Sequence, residues 1–99
     1  MDDISNKIMI EYFLRDEIYN GMYQEIVRFI NNIHIRNGEF ECNRHIIKKI
    51  DHNNFLILLE DEYQDGTKEI PWATAFYKFQ LLDLINTYAK KKGLVCSED

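Results

Sequence analysis

Positive charge is scarce in this chain: twelve Lys and Arg face seventeen Asp and Glu, a formal net charge of −5 at pH 7. A general nucleic-acid or anionic-membrane surface needs a basic field, so this balance works against both. Long apolar runs are missing as well. The longest uninterrupted one is Phe55 to Leu59, far short of the roughly 20 residues of a membrane span. Met1-Asp2-Asp3 has neither the basic nor the apolar region of a signal peptide. The expectation is a cytoplasmic protein with no membrane association. Two cysteines, Cys42 and Cys96, permit one disulfide at most, and a cytosolic setting keeps both reduced. The four glycines each follow Asn, Asp or Lys and fall where an element is expected to end, so none belongs to a phosphate-cradling loop. Repeats and linkers are also absent. With 99 residues, 45% hydrophobic and 29% charged, the composition is that of one globular domain over 1–99 with a frayed tail from about residue 95.

The only Pro and the only Trp lie together in the stretch from Ile70 to Lys92, which ends in three lysines and Gly93. Pro71 suits the first turn of a helix, the lysines complement the negative end of a helix dipole, and glycine suits the residue after it. The spacing therefore predicts one long helix over about 71–92. Its apolar face changes side halfway, from Trp72, Ala75, Phe76 and Phe79 to Leu81, Leu84, Ile85 and Tyr88. The competing reading makes 67–77 a strand and starts the helix near Phe79.

At the other end, Asp2, Asp3 and Ser5 are candidate caps for a helix reaching about Tyr19, broadly apolar and expected to be well buried or to lend one side to a partner. Asn20-Gly21 stops it. A second helix is expected from Met22 to Ile35, with Tyr23, Ile26, Val27, Phe29, Ile30 and Ile33 as its apolar stripe and Asn37-Gly38 as its stop. The short connection favours an antiparallel helical hairpin. Between these ends, Phe55 to Leu59 followed by Gln64-Asp65-Gly66-Thr67 has the signature of a β-hairpin, with a return strand at 67–70 and a third strand at Arg44 to Ile50. The expected fold is α+β: a two-helix N-terminal hairpin, a short antiparallel β-meander and a long C-terminal helix. The alternative is an all-α bundle of about five helices.

Few residues propose chemistry. Cys42, His45 and His52 have a Cys-x2-His spacing that zinc can use, with Cys96, an acid or water as the remaining ligand. Cys42 with His45 also draws as a nucleophile and its base, without an orienting third group. For both pairs a buried thiol beside an imidazole is the simpler reading, so no cofactor or metal is expected. His34 reads as a half-buried helix residue. Arg44, Lys48 and Lys49 form a small basic cluster, of which Arg44 and Lys48 share a face if helical, and it reads as a solvated face rather than a phosphate or nucleic-acid site. Trp72, Phe76, Tyr77 and Phe79 read as core rather than base-stacking residues, since only Lys78 interleaves with them.

The acidic run is more informative. Glu60, Asp61, Glu62, Asp65 and Glu69 lie within ten residues, offset only by Lys68. The plain reading is a solvated turn that blunts an edge strand. The functional one is a docking surface, with Tyr63 and Trp72 as aromatic anchors, for a partner protein with a basic surface. A chain this short without a catalytic set points to a non-enzymatic protein-binding module of inhibitor, immunity or regulatory-subunit type. The second reading is a homodimer or larger assembly packed through the first and last helices across a two-fold axis.

Overall fold

The computed structural model describes residues 2–94, with side chains from residue 6 onward. The expected caps at Asp2, Asp3 and Ser5, together with Cys96 and the tail, lie outside the described side chains. The chain runs α1 (Asp2–Glu17), α2 (Met22–Asn31), β1 (Gly38–Glu41), β2 (His45–Lys49), β3 (Asn54–Glu62), β4 (Lys68–Tyr77) and α3 (Lys78–Lys91). The fold is α+β, and the all-helical alternative is overturned by a four-stranded antiparallel sheet in the order β1-β2-β3-β4. Among the described residues, no helix is long and apolar enough to cross a membrane.

α2 forms where its apolar residues recur on one side, and Tyr23, Ile26, Val27, Phe29 and Ile30 are all buried. It starts at Gly21, whose φ of 99° suits glycine and whose N–H donates to Gln24 Oε1 at 2.6 Å. It also stops four residues earlier than expected. Asn32 turns extended and its Oδ1 accepts the His34 N–H at 2.9 Å, a local side-chain bond that replaces the next helical turn. His34 is thus an exposed turn residue, not part of a helix.

Within the sheet the two faces separate by register. Phe40, Ile47, Ile57 and Thr74 form one row across the strands, Lys49, Phe55 and Phe76 a second, and His45, Leu59 and Trp72 a third. This face meets the helices. Phe13, Leu14 and Ile18 of α1 and its exit turn, the α2 stripe, and Leu81, Ile85 and Ala89 of α3 join Ile47, Phe55 and Ile57 in one core. Glu39, Glu41, Ile46, Lys48, Leu56, Leu58, Ala73 and Ala75 occupy the opposite, open face, on which Ile46 is buried and Glu39, Glu41, Lys48, Ala73 and Ala75 are exposed. The two ends of the chain are tied by polar bonds. Tyr23 donates its hydroxyl to Asn86 Oδ1 at 2.7 Å, and Trp72 Nε1 donates to Asn6 Oδ1 at 2.9 Å. Tyr23→Phe removes the hydroxyl's bond to Asn86, which is exposed and turns to water, and is expected to cost about 1 kcal/mol or more. That corresponds to a fall of roughly 4–8 °C in Tm, readable by thermal circular dichroism.

The long helix expected over 71–92 is two elements. Residues 72–77 alternate between half-buried Trp72, Thr74 and Phe76 and exposed Ala73, Ala75 and Tyr77, the period of a strand, and the helix begins only at Lys78. The change of apolar side midway through the stretch marks the boundary. At the junction Tyr77 N–H donates to Gln80 Oε1 at 3.0 Å, as Gly21 N–H does to Gln24.

Candidate functional site

β3 and β4 outrun the rest of the sheet. β2 pairs with β3 only from Phe55 to Leu59, and a last bond runs from Glu60 N–H to the Arg44 carbonyl at 3.4 Å. Beyond that point the hairpin continues as a two-stranded arm through Asp61 opposite Glu69 and Glu62 opposite Lys68. A bulge between Leu59 and Asp61 bends its base. At its tip Tyr63 N–H donates to the Thr67 carbonyl, and Gly66, with φ 90°, completes the turn. Asp65 Oδ1 accepts both the N–H and the hydroxyl of Thr67, which hold its carboxyl below the ordinary value.

The arm gathers six of the seven residues that the sequence singles out: Glu60, Asp61, Glu62, Tyr63, Asp65 and Glu69. Lys68 is the single cation among them, with Nζ 3.8 Å from Glu60 Oε1. Asp61 and Glu69 stand directly opposite each other, a like-charge pair that costs the hairpin stability. The Tyr63 hydroxyl donates to Glu69, and this bond and the carboxylate's charge raise the phenol's pKa. Trp72 does not join the arm. It is half-buried, packed on the core with its indole N–H on Asn6 and its ring 6.5 Å from that of His45. The apolar residue that does stand out on the arm is Ile70, 52% exposed beside Tyr63 at 50%. Ile70 went unnoticed in the sequence because the expected helix absorbed the residues that follow it.

The Cys/His grouping does not converge. His45 opens β2 and His52 lies in the exposed turn beyond its far end. Among the described residues no cluster of His, Cys, Asp or Glu could hold a metal. His45 is instead clamped by Glu17, at the end of α1, with Nδ1 2.8 Å from Glu17 Oε2 and both side chains buried. The same carboxylate accepts the main-chain N–H groups of Asn43, Arg44 and His45. Burial, then the Glu17 charge, push the Cys42 thiol well up, so it supplies no thiolate at neutral pH. The basic grouping disperses too. Lys49 is 1% exposed on the core face, while Lys48 lies on the open face and Arg44 precedes the strand.

A groove of about 580 Å³ lies between α1 and α3, floored by Ile10, Leu14, Leu84 and Tyr88 and rimmed by charges of both signs. No family model matches the chain, and no curated protein or solved structure matches it either.

Proposed function

We propose that this protein is a non-enzymatic binding module that docks its β3–β4 arm onto a basic surface of a partner protein, as an inhibitor or regulatory subunit does. The observation that carries this reading is the arm itself. Carboxylates at Glu60, Asp61, Glu62, Asp65 and Glu69 are concentrated on a projecting hairpin, with Asp61 and Glu69 set against each other at a cost to the fold. A cationic groove on a partner relieves that repulsion. Such charge also speeds encounter and rejects acidic competitors. Tyr63 and Ile70, both exposed, supply the apolar contact that a purely electrostatic encounter lacks.

The test is capture from native extract with the wild-type chain and with Glu60→Lys, Asp61→Lys and Glu62→Lys combined. A stoichiometric partner held at low salt by the wild type and lost by the variant is expected. With that partner purified, the on-rate at low salt should fall about tenfold or more in the variant, and the two on-rates should converge as salt rises. An unchanged circular dichroism spectrum shows that the domain still folds. Equal on-rates at low salt overturn the reading.

A further inference from the structure

The outer edge of β4 carries a hydrogen-bonding pattern complementary to itself. In an antiparallel strand, successive residues turn their main-chain groups alternately toward one neighbour and away. Lys78 N–H donates to the Asn53 carbonyl of the β3 side, so on the Tyr77 side of the bulge the even-numbered residues of β4 face β3 and the odd-numbered ones face outward. Pro71 therefore sits where its missing N–H costs the sheet nothing. The Tyr77 N–H also points outward, and Gln80 Oε1 holds it. Between these two blunted positions, Ala73 and Ala75 present their N–H and C=O groups to no partner among the described residues. Both alanines are exposed, so nothing on the open face hinders approach.

We propose that two copies of this chain pair through β4 in antiparallel register about a two-fold axis at Thr74, joining their sheets into one. In that register Ala73 of each copy exchanges both main-chain bonds with Ala75 of the other. Pro71, which lacks a donor, meets Tyr77, whose donor is already engaged. Moving the axis to Ala73 sets the Ala75 carbonyl against proline, which has no donor. Moving it to Ala75 sets the Ala73 carbonyl against the occupied Tyr77 N–H. Only the Thr74 register satisfies the N–H and C=O groups of both alanines. It also pairs half-buried Trp72 with half-buried Phe76 in a close, non-hydrogen-bonded position, where aromatic pairs gain most.

Sedimentation equilibrium of the full chain tests this. A mass of twice 11.9 kDa that dissociates on dilution is expected, with the emission of Trp72, the only tryptophan, shifting in step. Ala75→Pro removes an outward N–H without touching the bonds to β3, and should weaken association ~100-fold or more while leaving the far-UV spectrum unchanged. Ala73→Lys with Ala75→Lys should do the same by repulsion, and Ala73→Glu with Ala75→Lys should restore association by placing opposite charges across both pairs. A mass of 11.9 kDa at all concentrations overturns the proposal. So does a dimer untouched by Ala75→Pro, which would place the contact elsewhere, for example at the α1–α3 groove.

Discussion

Replacing Glu17 by alanine is expected to destabilise the fold by about 3–5 kcal/mol, because it strands several buried donors at once. The carboxylate is fully buried and receives the His45 ring N–H together with the N–H groups of Asn43, Arg44 and His45. Because a carboxylate only accepts, Nδ1 carries the proton that links the two side chains. Urea denaturation of Glu17→Ala, His45→Ala and the double variant should give a strong coupling energy, since each side chain satisfies the other. Glu17→Gln keeps two acceptor lone pairs but turns an amide N–H toward donors, so its loss should be intermediate. Burial raises the carboxyl's pKa, but the bonds from His45, Arg44 and Asn43 outweigh it, and the net value lies below the ordinary 4.5. The unfolded chain thus binds the proton more readily. The stability this group contributes is complete above pH 4.5 and is lost as pH falls through the folded value. Glu17→Gln should therefore lose less stability on acidification than the wild type, a difference that denaturation between neutral and acid pH reads directly.

Phe55→Ala is expected to cost about 3–5 kcal/mol, the usual penalty for emptying an aromatic site in a closed core, and to change the titration of a lysine as well. Phe55 is buried, paired in register with Lys49 and Phe76, and its ring centroid lies 5.8 Å from the Lys49 ammonium. Lys49 donates to the Asn32 carbonyl at 2.8 Å, closing the end of α2 against the sheet. Burial, assisted by the charge of Lys78, lowers its pKa below 10.5. A lysine whose folded value is depressed is held charged at a cost at neutral pH. Stability then rises as pH climbs through the folded value toward 10.5. Removing the ring admits water, so the Lys49 value should return toward 10.5 and this alkaline gain should shrink. Lys49 side-chain resonances followed by NMR across pH 7 to 11 in both proteins, alongside denaturation, give the shift and the energy separately. A drop in stability with no movement of the Lys49 titration would mean that the ring does not shield the ammonium.

How far each of these features is legible from the sequence depends on how local its cause is. The Asn20-Gly21 break, the start of α2 and the Asp65-Gly66 hairpin all arise from residues within one turn of each other, and they stand as read. The β4–α3 boundary was harder because Pro71 fits two roles, the first turn of a helix and an outward-facing place on an edge strand. The strand wins because Trp72, Thr74 and Phe76 find the core by alternation against Leu59, Ile57 and Phe55. The acidic arm was visible as composition, Tyr63 with it, but the second expected anchor does not lie there: Trp72 is drawn inward by Asn6, far away in the chain. Glu17 gave no signal at all. Its partners lie between Asn43 and His45, and nothing in the pattern around a helix-terminal acid points to a loop so distant. Lys49 reads as one of a basic trio until the register of β2 turns it toward Phe55.

The sheet order follows the chain order, each strand lying beside the one made just before it. Its hairpins can therefore close one after another, over short loops and with little entropy to overcome. The helical end is different. Asn6 waits for Trp72 and Tyr23 for Asn86, so α1 and α2, although synthesised first, gain these contacts only when the last third of the chain has left the ribosome. During that interval Glu17 and the 43–45 turn supply an early polar link between the two halves, available as soon as β2 emerges and after Phe40 of β1 has reached Phe29 of α2. A nascent chain arrested just after β2 should hold this link, while one lacking α3 should still leave the apolar stripe of α2 open to chaperones.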